Sequence, residues 1–158
     1  MTYVKVEKII FTGRQNIDWH KVKNYMKRFQ GEAYRVAEYQ DDIQINYTTL
    51  EEYTGSKYTW KLKGALAKVK ANVVQIIPQL LINATNRRWM ENQDKKHGNE
   101  ACRGWYRYDA YFSMPIMNEQ EKCIRWNDYR GTIIVRINDK GFYLYDIINI
   151  KKEASNPR

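Results

Sequence analysis

The sequence predicts an α+β fold: helices followed by an antiparallel β-meander, with an N-terminal β/α extension. Three observations predict it. Apolar residues recur at helical steps from Leu66 to Ala84, the last third alternates as strands do, and Asn138-Asp139-Lys140-Gly141 carries hairpin turn chemistry between two apolar runs. Helices first and strands later, without a β-α-β alternation, is the pattern of an α+β domain.

Taken in order, Val4, Val6, Ile9 and Phe11 give an imperfect alternation read as a first strand. Asn16 or Asp18 caps a helix in which Trp19, Val22, Met26 and Phe29 share one face, and Gly31 ends it. Residues 33–37 and 43–47 read as two strands around an Asp41-Asp42 turn. Thr48 or Thr49 caps a short turn carrying Glu51 and Glu52, and residues 53–59 read as a loop or short strand. After Gly64 the stripe Leu66, Val69, Val73, Ile76, Ile77, Leu80, Leu81, Ala84 reads as a core-facing helix face. Pro78 suits a first helical turn, so two helices or one kinked helix are expected, the second running to about Gln93. A polar connection follows to Gly104. Residues 105–116, 129–137 and 142–150 read as antiparallel strands.

The chain has 158 residues, 43 % hydrophobic and 14 % aromatic, with 8 Gly and 3 Pro. That length and composition fit one packed domain over residues 1–158, a β/α extension at 1–49 and a core at 50–155, and exclude a disordered or fibrous chain. No uninterrupted apolar run approaches about 18 residues and the N-terminus lacks the apolar stretch of a signal peptide, so no membrane partner and a cytoplasmic site of action are expected. Cys102 and Cys123 lack metal-ligand spacing and are expected to be reduced.

Net charge is +9, unevenly spread. Residues 57–103 hold ten basic and three acidic residues, whereas residues 1–56 are balanced. A concentrated basic stretch in a folded domain points to a polyanionic partner, nucleic acid first, and otherwise to a solvated basic face. There is no glycine-rich phosphate loop, no HExxH and no GxSxG elbow, and two histidines leave no multi-histidine metal site. No cofactor and no metal are expected. Chemistry here must proceed without one, and cleavage of RNA at its 2′-hydroxyl is such a chemistry: it needs a proton acceptor, cations for the phosphorane and a proton donor for the leaving oxygen.

Three segments carry suitable groups. Ser56, Lys57, Lys61 and Lys63 lie together just before a helix, where a phosphate or merely an exposed basic turn is expected. His97, beside Lys95 and Lys96, is placed between the last helix and the meander; it is either a general acid or base of lowered pKa or an exposed loop residue. On the first meander strand Trp105, Arg107, Asp109 and Tyr111 share one face. Arg107 and Asp109 form either a structural ion pair or a phosphate-binding arginine oriented by a carboxylate. Tyr143 and Tyr145 face one way on the last strand and Leu144 and Asp146 the other; the tyrosines either stack bases or pack across strands.

Together, residues 53–70, Ile77-Pro78 through Arg88, His97, Gly104-Trp105-Tyr106-Arg107-Tyr108-Asp109, and the closing Val135-Arg136-Ile137, Leu144-Tyr145-Asp146-Ile147 and Lys151-Lys152 resemble domains of large polyvalent proteins of phages and mobile elements. Those domains are similar to the barnase–EndoU–colicin–RelE-like nuclease group, and the resemblance covers about residues 50–155. It implies a metal-independent ribonuclease, tRNA-cleaving toxins included, acting by 2′-hydroxyl transesterification. It implies catalytic roles for His97, Lys57, Arg107 and Tyr145, and substrate binding by Ser56, Lys61, Lys63, Arg103, Asp109 and Tyr143. RNA, a neutralising immunity or antitoxin protein, and delivery by a larger polypeptide or phage follow from the same resemblance. The competing readings are a non-catalytic nucleic-acid-binding accessory domain and a protein-interaction module.

Overall fold

The computed structural model describes residues 2–13, 16–93 and 97–157, and its architecture is α+β. In chain order the elements are β1 (Val4–Lys5), α1 (Trp19–Met26), β2 (Ala33–Arg35), β3 (Asp42–Gln44), α2 (Tyr47–Gly55), α3 (Lys57–Lys61), α4 (Ala65–Val73), α5 (Ile77–Ile82), β4 (Thr85–Met90), β5 (Trp105–Met117), β6 (Cys123–Asn138) and β7 (Gly141–Pro157). A 3₁₀ turn, Gly98–Ala101, precedes β5.

Local chemistry explains the helix ends. The Asp18 carboxylate accepts from the His20 and Lys21 amides and starts α1. Asn46 caps α2 in a reciprocal pair with Thr49, so the segment expected to be a short turn and a loop is a full helix. Ser56 ends α2 and caps α3 through the Thr59 amide. Pro78 occupies the first turn of α5, where its missing N–H costs nothing. The helical run Ala65–Ile82 is 18 residues long and apolar enough to cross a membrane, and 61 % of it is buried in the core.

The strands form one sheet in the order β1-β5-β6-β7-β3-β2, with β4 on the same edge of β5 as β1. The consecutive strands β5, β6 and β7 pair antiparallel, but the whole sheet is mixed and not the antiparallel meander expected: β1 joins β5, and β3 joins β7, in parallel. The first 49 residues thus supply strands to both sides of the late sheet. Residues 85–90, expected to continue a helix to about Gln93, are strand β4.

One face of the sheet carries the core. Tyr108, Ala110, Phe112 and Met114 of β5, Ile133 and Val135 of β6, and Leu144 and Ile147 of β7 pack under Leu50 and Tyr53 of α2, Val69 and Val73 of α4, and Leu80 and Leu81 of α5. Each such aliphatic side chain contributes about 1.5–3 kcal/mol by leaving water.

Within this apolar layer lies an ion pair. Lys70 Nζ stands 2.6 Å from Asp146 Oδ1, with the two side chains 0 % and 3 % exposed. The ammonium also donates to Thr59 Oγ1 at 2.6 Å and lies over the rings of Tyr53 and Tyr58. The carboxylate accepts from Ser56 Oγ at 2.8 Å and from the Ile147 amide. Thr59 Oγ1 donates to the Tyr53 carbonyl and Tyr53 Oη to the Lys70 carbonyl, closing a network across α2, α3, α4 and β7. Burial pulls the Lys70 ammonium below its ordinary value and lifts the Asp146 carboxyl above its own, while their mutual attraction opposes both.

Removing one partner strands the other charge in the core. Asp146→Asn is expected to lower the unfolding free energy by about 3–5 kcal/mol, read from urea denaturation. Lys70→Met together with Asp146→Leu is expected to recover most of that loss; a double variant as unstable as the single one contradicts a desolvation origin.

Candidate functional site

The opposite face of the sheet is open, and β5 sets its pattern. Alternation turns Tyr108 and Ala110 into the core and leaves Trp105, Arg107 and Asp109 half-buried on the other side. Arg107 pairs with Ile134 on β6, which lies next to β7. There the register shifts: Val135 pairs with Leu144 but Ile134 with Asp146, so Tyr145 is an extra residue in a β-bulge. The bulge sends Asp146 into the buried ion pair and Tyr145 onto the open face.

His97 comes over this face from the loop before β5. Its carbonyl accepts from the Glu100 amide, and the Glu100 carbonyl accepts from Asn138 Nδ2 at 2.9 Å and from Arg136 Nη1, which docks the 3₁₀ turn on β6. Gly104 then admits the chain into β5 at φ +93°, where a Cβ would stand 2.6 Å from the Met90 carbonyl oxygen.

These elements enclose a pocket of about 310 Å³ lined by His97, Trp105, Arg107, Ile134 and Tyr145, with residues 90–93 at its rim. Three rings form its wall, mutually edge-on: His97 to Trp105 at 5.1 Å, His97 to Tyr145 at 5.2 Å and Trp105 to Tyr145 at 5.0 Å between centroids. Tyr145 Oη lies 3.4 Å from His97 Nε2. The Trp105 indole donates to Asn92 Oδ1 at 3.2 Å, which fixes the ring. Among the described residues no hydrogen bond or ion pair engages the Arg107 guanidinium. Burial first, and then the neighbouring Glu52 carboxylate, raise the Tyr145 phenol well above its ordinary value of 10.0, so it keeps its proton as a donor.

The ten residues singled out from the sequence separate clearly. His97, Arg107 and Tyr145 meet in this pocket. Asp109 lies in an adjoining groove, held by Arg88 and Asn86 and not by Arg107. Tyr143 is one row along, under the Arg136 guanidinium. Arg103 pairs with Asp139 at the surface. Ser56 is buried, its hydroxyl committed to Asp146. Lys57, Lys61 and Lys63 are exposed on α3 and the loop after it and do not line the pocket. Lys95 and Lys96 lie outside the described residues. Trp105, Ile134 and Glu52 are site residues that sequence reasoning does not single out. Trp105 shares the parity of Arg107 and was open to detection; Glu52 reaches Tyr145 only through the packing of α2 on β7.

No group of three or more His, Cys, Asp or Glu side chains able to hold a metal ion occurs among the described residues. The arrangement supplies an unengaged cation, a protonated phenol and an imidazole around one concavity, which suits an oxyanion. Inorganic phosphate is expected to shift the His97 imidazole resonances in NMR titration, and Arg107→Ala to weaken that binding by about tenfold. Unchanged phosphate affinity in the variant contradicts the assignment. No protein-family model matches the chain, and neither does any curated protein or solved structure.

Proposed function

We propose that the chain is a cofactor-independent ribonuclease that cleaves RNA by attack of a 2′-hydroxyl on the adjacent phosphate. The observation that carries this reading is the meeting of His97, Arg107 and Tyr145 around one pocket walled by Trp105. The net charge of +9 and the resemblance of residues 50–155 to the metal-independent nuclease group support it, as do the antiparallel pairings β5–β6–β7 that end on a Tyr-Asp strand. In this reading Arg107 binds the scissile phosphate and disperses the charge that grows on its oxygens. His97 takes the 2′-hydroxyl proton as the O2′–P bond forms and returns it to the 5′-oxygen as the P–O5′ bond breaks. The products are a 2′,3′-cyclic phosphate and a 5′-hydroxyl. Tyr145 donates to a non-bridging oxygen. Trp105 presents a ring on which a base stacks.

The test is digestion of a broad RNA panel, tRNA included, in EDTA. Cleavage is expected, with His97→Ala slower by about a thousandfold and with RNA binding retained. RNA left intact by the unaltered protein across the panel, or full activity in His97→Ala, overturns the proposal. The pH profile gives a second check. Because the Tyr145 pKa is raised, its proton persists beyond pH 10.0, so the phenol cannot produce an alkaline limb below that value. Tyr145→Phe is expected to lower the rate by about tenfold at every pH from neutral to about pH 10, with the shape of the profile unchanged. A limb that vanishes in this variant contradicts the role.

A further inference from the structure

Next to the pocket, on the same open face, lies a groove of about 530 Å³ whose lining includes Arg88, Asp109, Arg130, Thr132, Asn149 and Lys151. Asp109 follows Arg107 by two residues on β5, and Thr132 lies two residues from Ile134 on β6, so groove and pocket abut along the strands. That step is about 7 Å, the scale of one extended nucleotide.

Bulges shape both walls. On β4 the register shifts between Thr85 and Arg88, and on β7 it shifts opposite Arg130 and Thr132. Each shift holds an asparagine in left-handed backbone, Asn86 at φ 53° and Asn149 at φ 54°. Such conformations cost energy and persist where the surroundings enforce them. On the first wall the result is a split: Arg87 turns inward to Asp41 and Arg88 faces the groove.

The groove is rich in donors. Arg88 uses Nη1 for Asp109 and the Asn86 carbonyl, and its Nε and Nη2 have no hydrogen-bond partner among the described residues. Arg130 meets Glu153 through Nε at 3.2 Å. Lys151 has no hydrogen-bond or ion-pair partner among the described residues. The one carboxylate in the lining, Asp109, already accepts from Arg88 and Asn86. A concavity with three cations and one satisfied carboxylate calls for an anionic ligand.

We propose that this groove is a second phosphate subsite for single-stranded RNA, holding the phosphate next to the scissile one. The inference rests on the RNA reading of the adjacent pocket. Its test is fluorescence anisotropy with 2′-O-methyl oligonucleotides, which cannot be cleaved, over a range of salt concentrations. Lys151→Glu is expected to reduce the ratio of tetranucleotide to dinucleotide affinity by about tenfold. The log–log salt slope for the tetranucleotide is expected to become shallower by about 0.7, the increment for one phosphate no longer neutralised. Lys151→Arg is expected to restore both. Lys151 is exposed, and a thermal melt confirms that the variants fold. An unchanged ratio and slope overturn the subsite, even where the unaltered protein cleaves RNA. Groove-dependent binding without cleavage keeps the subsite and discards the nuclease reading.

Discussion

The Lys70–Asp146 ion pair is the constraint around which this molecule is arranged. An ammonium and a carboxylate with almost no solvent access need further hydrogen bonds to offset the loss of water. Ser56 and the Ile147 amide bond the carboxylate, and Thr59 bonds the ammonium, which also lies over the Tyr53 ring. Satisfying that demand draws α2, α3 and α4 onto the middle of β7. Asp146 must then face inward beside Ile147, which is also in the core, and a regular strand turns two neighbours to opposite faces. The bulge at Tyr145 resolves the conflict. The candidate site is therefore the outer side of a core requirement: the kink that buries Asp146 presents Tyr145 to His97 and Trp105.

The open face divides its labour by position. Ile134 floors the space between Arg107 and Tyr145. Arg136, one row along, is itself buried and bonds the Glu100 carbonyl, so the 3₁₀ turn that follows His97 is anchored to the sheet. On the core side of the sheet, the Arg87–Asp41–Tyr108 cluster joins β4 and β5 to the segment before β3, with Asp41 2.7 Å from both Arg87 Nη1 and Tyr108 Oη. Buried charge on one side of the sheet and unengaged charge on the other are separated by single residues.

Much of this was legible in the sequence where chemistry is local. The Asp18 cap, the interruption at Pro78, the turn at residues 138–141 and the parity of Trp105, Arg107 and Asp109 all follow from spacing alone. What could not be read depends on partners far along the chain. Thr85 to Met90 lacks alternation because Asn86 and Arg87 together oppose one residue of β5, and its Arg and Met favour a helix intrinsically. Lys70 looks like a solvated helical lysine until Asp146, 76 positions later, lies against it. Ser56 beside Lys57 has the composition of a phosphate loop, yet its hydroxyl serves the core. The parallel pairings of β1 and β3 leave no mark in their own short segments.

The chemistry of the product ends bears most directly on the proposed transesterification. Phosphorus-31 NMR of a dinucleoside monophosphate incubated with the protein in EDTA reads those ends without a gel or a label. The expected result is the resonance of a 2′,3′-cyclic phosphate, growing at the expense of the diester. A 5′-phosphate product, or a diester signal that stays constant, contradicts it.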